Sequence, residues 1–414
     1  MEKKKFKFNS TISIFLAMIL GMAAGALFGD FMVATKFVGD IFLRLIQMSV
    51  VVLVMGSVIE AVGSLKAKEL GRFGLKAFIG FAFTTLFAST VGIVLSNIIK
   101  PGVGINYTQE LTSTTEASAQ TIQEIITNFF PNNIIKSLAD GNTIQVIVFA
   151  LFLGIALSII GEKEGDYTIL NIVKSFNKAL LTIITIVMKA APLGIFSLLG
   201  WAIGTYGFEV ILPLVKFLIT MAIGSVLILV VMILLSSTYA KVSPLKLAKK
   251  LLRMGVVAFT TTSSAITLPT KMEDSENVIG ISKSVSRLVN PLGMSLNSDG
   301  LALYLAIATI TVAQFFNIDM STGEQFVVVI MSTLATLGTV VVPGGGLVAL
   351  AIVLPTVGLP VEGVALLAGI DWFSGMFRTT LNVIDDVLVA LMVAVSENEF
   401  DRELFEKTAK NGNK

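Results

Sequence analysis

The stretch Thr260-Thr261-Thr262-Ser263-Ser264-Ala265-Ile266-Thr267-Leu268-Pro269 decides how this chain folds. Five consecutive hydroxyl residues interrupt an apolar segment and lead to a proline whose ring nitrogen has no hydrogen with which to continue a helix. Lipid offers no partner to irregular backbone, so a break at membrane depth must be buried in protein or line a wet cavity. The stretch reads as the tip of a hairpin. A second break, Val341-Val342-Pro343-Gly344-Gly345-Gly346, separates apolar arms at about 325–340 and 347–358, each too short to cross a bilayer alone. Either break alone also fits a kinked spanning helix, whereas two in one chain favour re-entrant hairpins. Such pairs mark sites where half-helix N-termini receive an anionic group and unwound carbonyls receive a cation.

The composition agrees with this reading. The chain has 414 residues, 54% apolar and 14% charged, with a mean hydropathy of +0.86. A soluble domain carries about 25% charged residues, so this chain has roughly half the charge a water-facing surface needs. It reads as an integral membrane protein. Thirty basic against 28 acidic residues leave a net charge of +2, with no basic face to suggest nucleic acid. The absence of Cys removes disulfides, thiolate nucleophiles and Cys-ligated metals, and the absence of His removes the commonest general base and metal ligand.

Outward from the hairpins, apolar runs at 12–33, 38–65, 74–99, 142–160, 169–204 and 208–237 predict six helices in the first half. Lys3, Lys4, Lys5 and Lys7 precede the first run. Lys66, Lys68, Arg72 and Lys76 separate the second and third, and Lys241, Lys246, Lys249, Lys250 and Arg253 follow the sixth. These basic clusters place both termini in the cytoplasm. Segments 101–140 and 205–211, acidic on balance, fall outside; the first of them is a polar loop with no evident chemistry. No clear A-x-A site ends the first run, which is expected to remain as a span and not to serve as a secretory signal.

Between the hairpins, Gly293-Met294-Ser295-Leu296-Asn297-Ser298-Asp299-Gly300 breaks an apolar helix and frees carbonyls able to ligate Na⁺. The last run, 361–396, carries Asp371, Arg378, Asn382, Asp385 and Asp386. At about 100° per residue, and with Arg378 as zero, these fall between about −20° and about 80°, on one stripe. A charge at mid-bilayer costs from about 2.5 to well over 10 kcal/mol. Such a stripe either pairs internally, fixing helix packing, or serves ligands and ions. The planar fork of Arg378 suits a substrate carboxylate.

Taken in order, Ser263-Ser264 with Leu268-Pro269, Asn297-x-Asp299-Gly300, Gly338-Thr339 with Pro343-Gly344, and Arg378-Thr379 with Asn382 and Asp386 resemble the sodium-coupled dicarboxylate and amino-acid symporters that include the glutamate transporters. The resemblance runs along nearly the whole chain. It implies an all-α polytopic membrane protein of eight transmembrane helices and two re-entrant helical hairpins, 243–279 and 322–358, assembled as a homotrimer in the cell membrane. Residues 1–240 would hold six N-terminal helices, the third and sixth joining the moving part. Residues 241–398 would form the transport core and 399–414 a cytoplasmic tail. The mechanism implied is an elevator-like alternation of access, with Na⁺ as coupling ion and no organic cofactor.

By the same resemblance, Ser263 and Ser264 would meet a substrate carboxylate, Arg378 a side-chain carboxylate, and Thr379 and Asn382 the main-chain end, with Val342 and Gly346 lining the second hairpin. For Na⁺, Asp386 would act with carbonyls of Gly293, Asn297 and Asn382. A second site would use carbonyls of Ser295, Thr336 and Thr339, and a third Thr84 and Thr85 with Asn297 and Asp299. Hard oxygen ligands suit a hard cation.

The chain departs from the amino-acid-carrying pattern at Gly375, where those members have an Asp for the substrate ammonium. Leu301 and Ser298 replace a Thr and a Met, and Asp385 adds a carboxylate. The substrate expected is a small anionic or zwitterionic solute, a C4-dicarboxylate or an acidic amino acid. Asp371 or Asp385 is available to substitute for the missing ammonium partner, and a neutral or larger amino acid and proton coupling are the alternatives. From other classes, an anion channel would also use Gly-rich re-entrant loops. A serine enzyme would have only Lys271 to activate Ser263 or Ser264, and Gly344–Gly346 lack the Lys and Ser/Thr of a P-loop.

Overall fold

The computed structural model describes residues 10–64, 67–104, 127, 130–337 and 345–410. Among them every regular element is helical, apart from one isolated bridge between Ile281 and Phe400. The first half comprises α1 (Ser10–Leu27), α2 (Gly29–Ala34), α3 (Lys36–Gly63), α4 (Ala67–Ile99), α5 (Ile134–Ala139), α6 (Thr143–Glu164), α7 (Thr168–Met188), α8 (Ala191–Tyr206) and α9 (Ile211–Ala240). Two of the six apolar runs are therefore divided. The first bends at Phe28, and the run 169–204 breaks at Lys189 and Ala190, just before Pro192 starts α8. A proline is favoured in a first helical turn, where no N–H is needed; helices nevertheless run on through Pro269, Pro291 and Pro355, so that the first hairpin turns before Pro269 and not at it. Most of the predicted outer loop lies outside the described residues.

The second half follows the hairpin reading. The first hairpin pairs α10 (Pro244–Thr261) with α11 (Ser264–Asp274), and a π turn over Ser275–Ile279 leads out of it. Its tip turns because Thr262 adopts φ 49° and Ser263 caps α11, its hydroxyl accepting from the Ile266 N–H at 3.3 Å. Next come α12 (Lys283–Leu296) and α13 (Asp299–Phe315), interrupted at Asn297 and Ser298 as the glycine-flanked motif predicts. The arms of the second hairpin are α14 (Thr322–Leu337) and α15 (Gly345–Thr356). Its tip, residues 338–344, lies outside the described residues. The last run divides at Gly369 and Ile370 into α16 (Gly363–Ala368) and α17 (Asp371–Ser396).

Among the described residues, six helical segments are long and apolar enough to span a membrane, and the most apolar stretch of the one over Lys283–Phe315 is wholly buried. That enclosure explains how α12 and α13 tolerate a broken backbone at membrane depth. The expected tail is not free: α18 (Arg402–Lys410) buries Phe405 and joins hairpin 1 through Lys246–Glu406 at 2.5 Å.

The helices pack as two groups. In one, α1, α2 and α3 lie on α8, and α3 also on α6 and α7. In the other, α4, α9 and α10 to α15 surround α13 and α17. The groups meet where α16 lies on α8 and where α14 and α15 touch α3. Hydrogen bonds tie α4 to the second group: Gln314 donates to the Ser96 carbonyl at 3.1 Å and accepts from the Gly102 N–H at 2.8 Å.

In the first group, α1 and α8 approach backbone to backbone. A Cβ on Gly25 would lie 2.5 Å from the Gly200 carbonyl oxygen, and one on Gly204 would lie 2.8 Å from that of Gly29. Close approach of this kind replaces the hydrophobic drive that lipid cannot supply. Gly25→Leu is therefore expected to destabilise the fold by about 1–3 kcal/mol. Gly323→Ala, where a Cβ meets only Ser321 Oγ at 3.9 Å, should leave stability unchanged or slightly raised. Thermal unfolding of the purified variants measures both, and equal behaviour at the two positions would contradict the seam.

Candidate functional site

The polar stripe of α17 enters the second group at two levels. At the upper level Arg378 Nη2 lies 2.9 Å from Asp371 Oδ1, two turns earlier on the same helix, and donates to the Asp371 carbonyl at 3.3 Å. The guanidinium carbon sits 4.5 Å from the ring centre of Tyr304 on α13, a favourable cation–π arrangement. Nη1 is buried and makes no hydrogen bond among the described residues. It faces the first turn of α15 so closely that a Cβ on Gly346 would fall 1.4 Å from it. Half of the Arg378 fork is thus committed within the protein, and half is aimed at the second hairpin with no acceptor among the described residues.

The lower level is a cluster of carboxylates and hydroxyls. Thr85 Oγ1 lies 2.7 Å from Asp299 Oδ1 and 3.2 Å from Asn297 Oδ1, while Thr84 Oγ1 lies 3.2 Å from Asp299 Oδ1. Asp385 is fully buried against Asp299, the two carboxyls within hydrogen-bonding reach of each other, and no other described group bonds to Asp385 or to Asp299 Oδ2. Asp386 is held by Lys271 Nζ at 2.6 Å and by the Asn297 amide at 2.9 Å, close against Gly293. The four residues predicted for the third Na⁺ position, Thr84, Thr85, Asn297 and Asp299, are therefore in mutual contact.

Other predicted residues are placed more locally. Ser263 caps its own hairpin arm, Ser264 is buried at the start of α11, and Thr379 is buried on α17. Asn382 Oδ1 accepts from the Gly300 N–H at 2.7 Å, pinning the start of α13 to α17. The Ser295 hydroxyl donates to Pro291 and that of Thr336 to Thr333, each within its own helix. Thr339 and Val342 lie outside the described residues. A cavity of about 330 Å³ runs between α4, α9 and α17 from Lys76 and Ser396 to Thr84, reaching the hydroxyl that bonds Asp299.

Two side chains that contact the predicted site carry no site role in the sequence: Lys271, which enters there only as an activator of serine, and Tyr304. The signal for Lys271 was a cation two residues beyond Pro269 in a segment read as lying within the membrane, where a buried charge is a site by default. Tyr304 carried a weaker signal, its spacing of four from Gly300, which puts both on the face of α13 that meets α17.

A model describing the sodium:dicarboxylate symporter family matches residues 11–396. The chain belongs to that family. It is 34% identical to a proton/sodium-glutamate symport protein of Geobacillus stearothermophilus, over 94% of this chain and 95% of that one. It is likewise 34% identical to a proton/glutamate-aspartate symporter of Bacillus subtilis, over 94% of each. A C4-dicarboxylate transport protein of the same organism is 32% identical over 96% of each chain. The family and these relatives are transporters, and this chain has the membrane helices such a protein needs.

The contact between Gly346 and Arg378 is testable. Gly346→Ala forces either the guanidinium or α15 to shift, with an expected loss of about 1–3 kcal/mol in unfolding free energy. An unchanged denaturation midpoint would mean that the second hairpin does not rest on Arg378.

Proposed function

We propose that this family member is a secondary active symporter that couples Na⁺ entry to uptake of a small dicarboxylate, with Arg378 Nη1 as anchor for a substrate carboxylate. The observation that carries this reading is that buried nitrogen, which has no partner among the described residues. A buried donor left unmet loses about 1–3 kcal/mol or more, and a bidentate or charge-assisted contact to carboxylate satisfies it. For a substrate to reach Arg378, α15 must lift away, so the second hairpin serves as the lid. Thr379, Asn382 and the Ser263–Ser264 turn are assigned to the remaining polar ends of the solute.

Co-transported Na⁺ is assigned to the cluster of Asp299, Thr84, Thr85 and Asn297, where a carboxylate oxygen awaits a positive partner. The cavity that ends at Thr84 suits an ion path. Carbonyls of Ser295 and Thr336, with Thr339, are assigned a second ion. Each charge that moves through 100 mV contributes about 2.3 kcal/mol. The two helix groups suggest the division of labour: the α1, α3 and α8 group as the trimeric scaffold in the cell membrane, and the α13–α17 group as the part that slides, with both termini cytoplasmic.

Substrate choice follows from where the carboxylates are committed. Gly375 offers no partner to an ammonium, Asp371 is engaged by Arg378, and Asp385 faces Asp299. These placements favour a C4-dicarboxylate over an amino acid, although relatives bear both kinds of name. A second reading, proton symport, is favoured by Asp385, buried within hydrogen-bonding reach of Asp299, and by relatives named for protons.

Two measurements test the proposal. Purified protein in Na⁺ should gain thermal stability from succinate or malate more than from aspartate, glutamate, serine or cystine, since a ligand stabilises the state that binds it. Arg378→Ala should abolish that gain, and an intact gain would remove Arg378 from the substrate site. In proteoliposomes, replacing Na⁺ by choline should stop uptake, and Thr85→Val should raise the Na⁺ concentration for half-maximal uptake by about tenfold, the loss of one hydrogen bond to a charged group. Uptake that survives choline and fails when the proton gradient is collapsed would establish proton coupling instead.

A further inference from the structure

We infer that Lys271 is a tethered cation which occupies an ion-binding position at Asp386, so that this position takes no co-transported Na⁺. The ammonium is completely buried, 2.6 Å from Asp386 Oδ2 and 3.0 Å from the Asn290 carbonyl oxygen, and both contacts are hydrogen bonds. The other carboxylate oxygen is held at 2.9 Å by the amide of Asn297, whose own oxygen meets Thr85 in the adjoining cluster. The ammonium therefore sits among carboxylate and carbonyl oxygens, the donor types that a hard metal ion seeks, beside α12 and joined to the break at Asn297 through the Asp386 carboxylate.

Charge placement in the same core supports the assignment. Around the stripe of α17, four buried carboxylates, Asp299, Asp371, Asp385 and Asp386, face two fixed cations, while a fifth, Asp274 on α11, is paired with the half-exposed Arg253. Arg378 serves Asp371 and Lys271 serves Asp386. Asp299 and Asp385 face each other with no fixed cation beside them among the described residues, so the demand for a mobile cation falls on them and not on Asp386. Lys271 comes from α11 of the first hairpin, its carbonyl acceptor from α12 and its carboxylate from α17. It clasps three elements of the group proposed to move, and its charge travels with them and returns. This inference rests on the cation-coupled reading for its meaning in transport, but its binding chemistry can be tested without transport.

Wild type, Lys271→Met and the double variant Lys271→Met with Asp386→Asn are purified in detergent. Each is titrated with NaCl at constant ionic strength against choline chloride, with KCl as a second comparison, while thermal unfolding and radioactive Na⁺ bound per chain are recorded. The single variant should be destabilised in choline, recover as Na⁺ is added and respond less to K⁺. At saturation it should bind one Na⁺ more than wild type, and the double variant should lose both the extra ion and the recovery. The inference is overturned if the single variant shows only wild-type Na⁺ dependence. It is equally overturned if that variant fails to fold even in Na⁺ while the double variant folds, because Lys271–Asp386 is then a structural pair with no room for an ion. Failure of wild-type Na⁺-driven uptake would instead count against the proposed function and leave this binding result standing.

Discussion

Charge neutralisation inside a water-poor core is the constraint on which this molecule depends. Around the stripe of α17, four buried carboxylates lie within one packed group of helices, and leaving any of them ionised and unpaired would be destabilising by several kcal/mol. The fold answers with two fixed cations, one from the stripe of α17 itself and one from the neighbouring hairpin, and with hydroxyl and amide donors from α4 and α12. What those groups leave unmet among the described residues, an arm of Arg378 and oxygens of Asp299 and Asp385, is where the proposed anion and its companion cation would find complementary chemistry. Structural pairing and ligand recruitment are thus two uses of one set of charges.

Backbone geometry makes that set possible. The helix formed by α12 and α13 breaks at Asn297 and Ser298 without facing lipid, because α4, α14 and α17 enclose it. The break presents the Gly300 N–H to Asn382 and turns Asn297 toward both Thr85 and Asp386. Gly346 lets the second hairpin lie directly on the guanidinium. In the proposed mechanism, a lid so close to the charge it covers would link loading of the site to movement of the hairpin.

Much of this was legible in the linear chain. The hydroxyl run before Pro269 marked a hairpin tip, the glycines around Asn297 marked an interrupted helix, and the 100° spacing from Asp371 to Asp386 marked a shared stripe. Each is a local pattern with a local physical cause. Less legible were the breaks at Phe28, at Lys189 and at Gly369, where long apolar runs gave no measure of which residues face a neighbour and which face lipid. The docking of α18 through Phe405 was hidden for the same reason, since a polar tail discloses nothing about the surface that receives it.

The order of residues alone determined that the chain is a membrane protein with two interrupted elements and a buried charged helix, because hydropathy, proline and glycine act within a few residues of themselves. Only tertiary structure decided which charge meets which. Residues 271 and 386 stand far apart along the chain, as do 85 and 299, and their encounter depends on how the hairpin, the broken helix and the last span pack together. Pairing across such separations is a property of the assembled core. For that reason the lysine at Asp386 became intelligible only once its oxygen neighbours were in place.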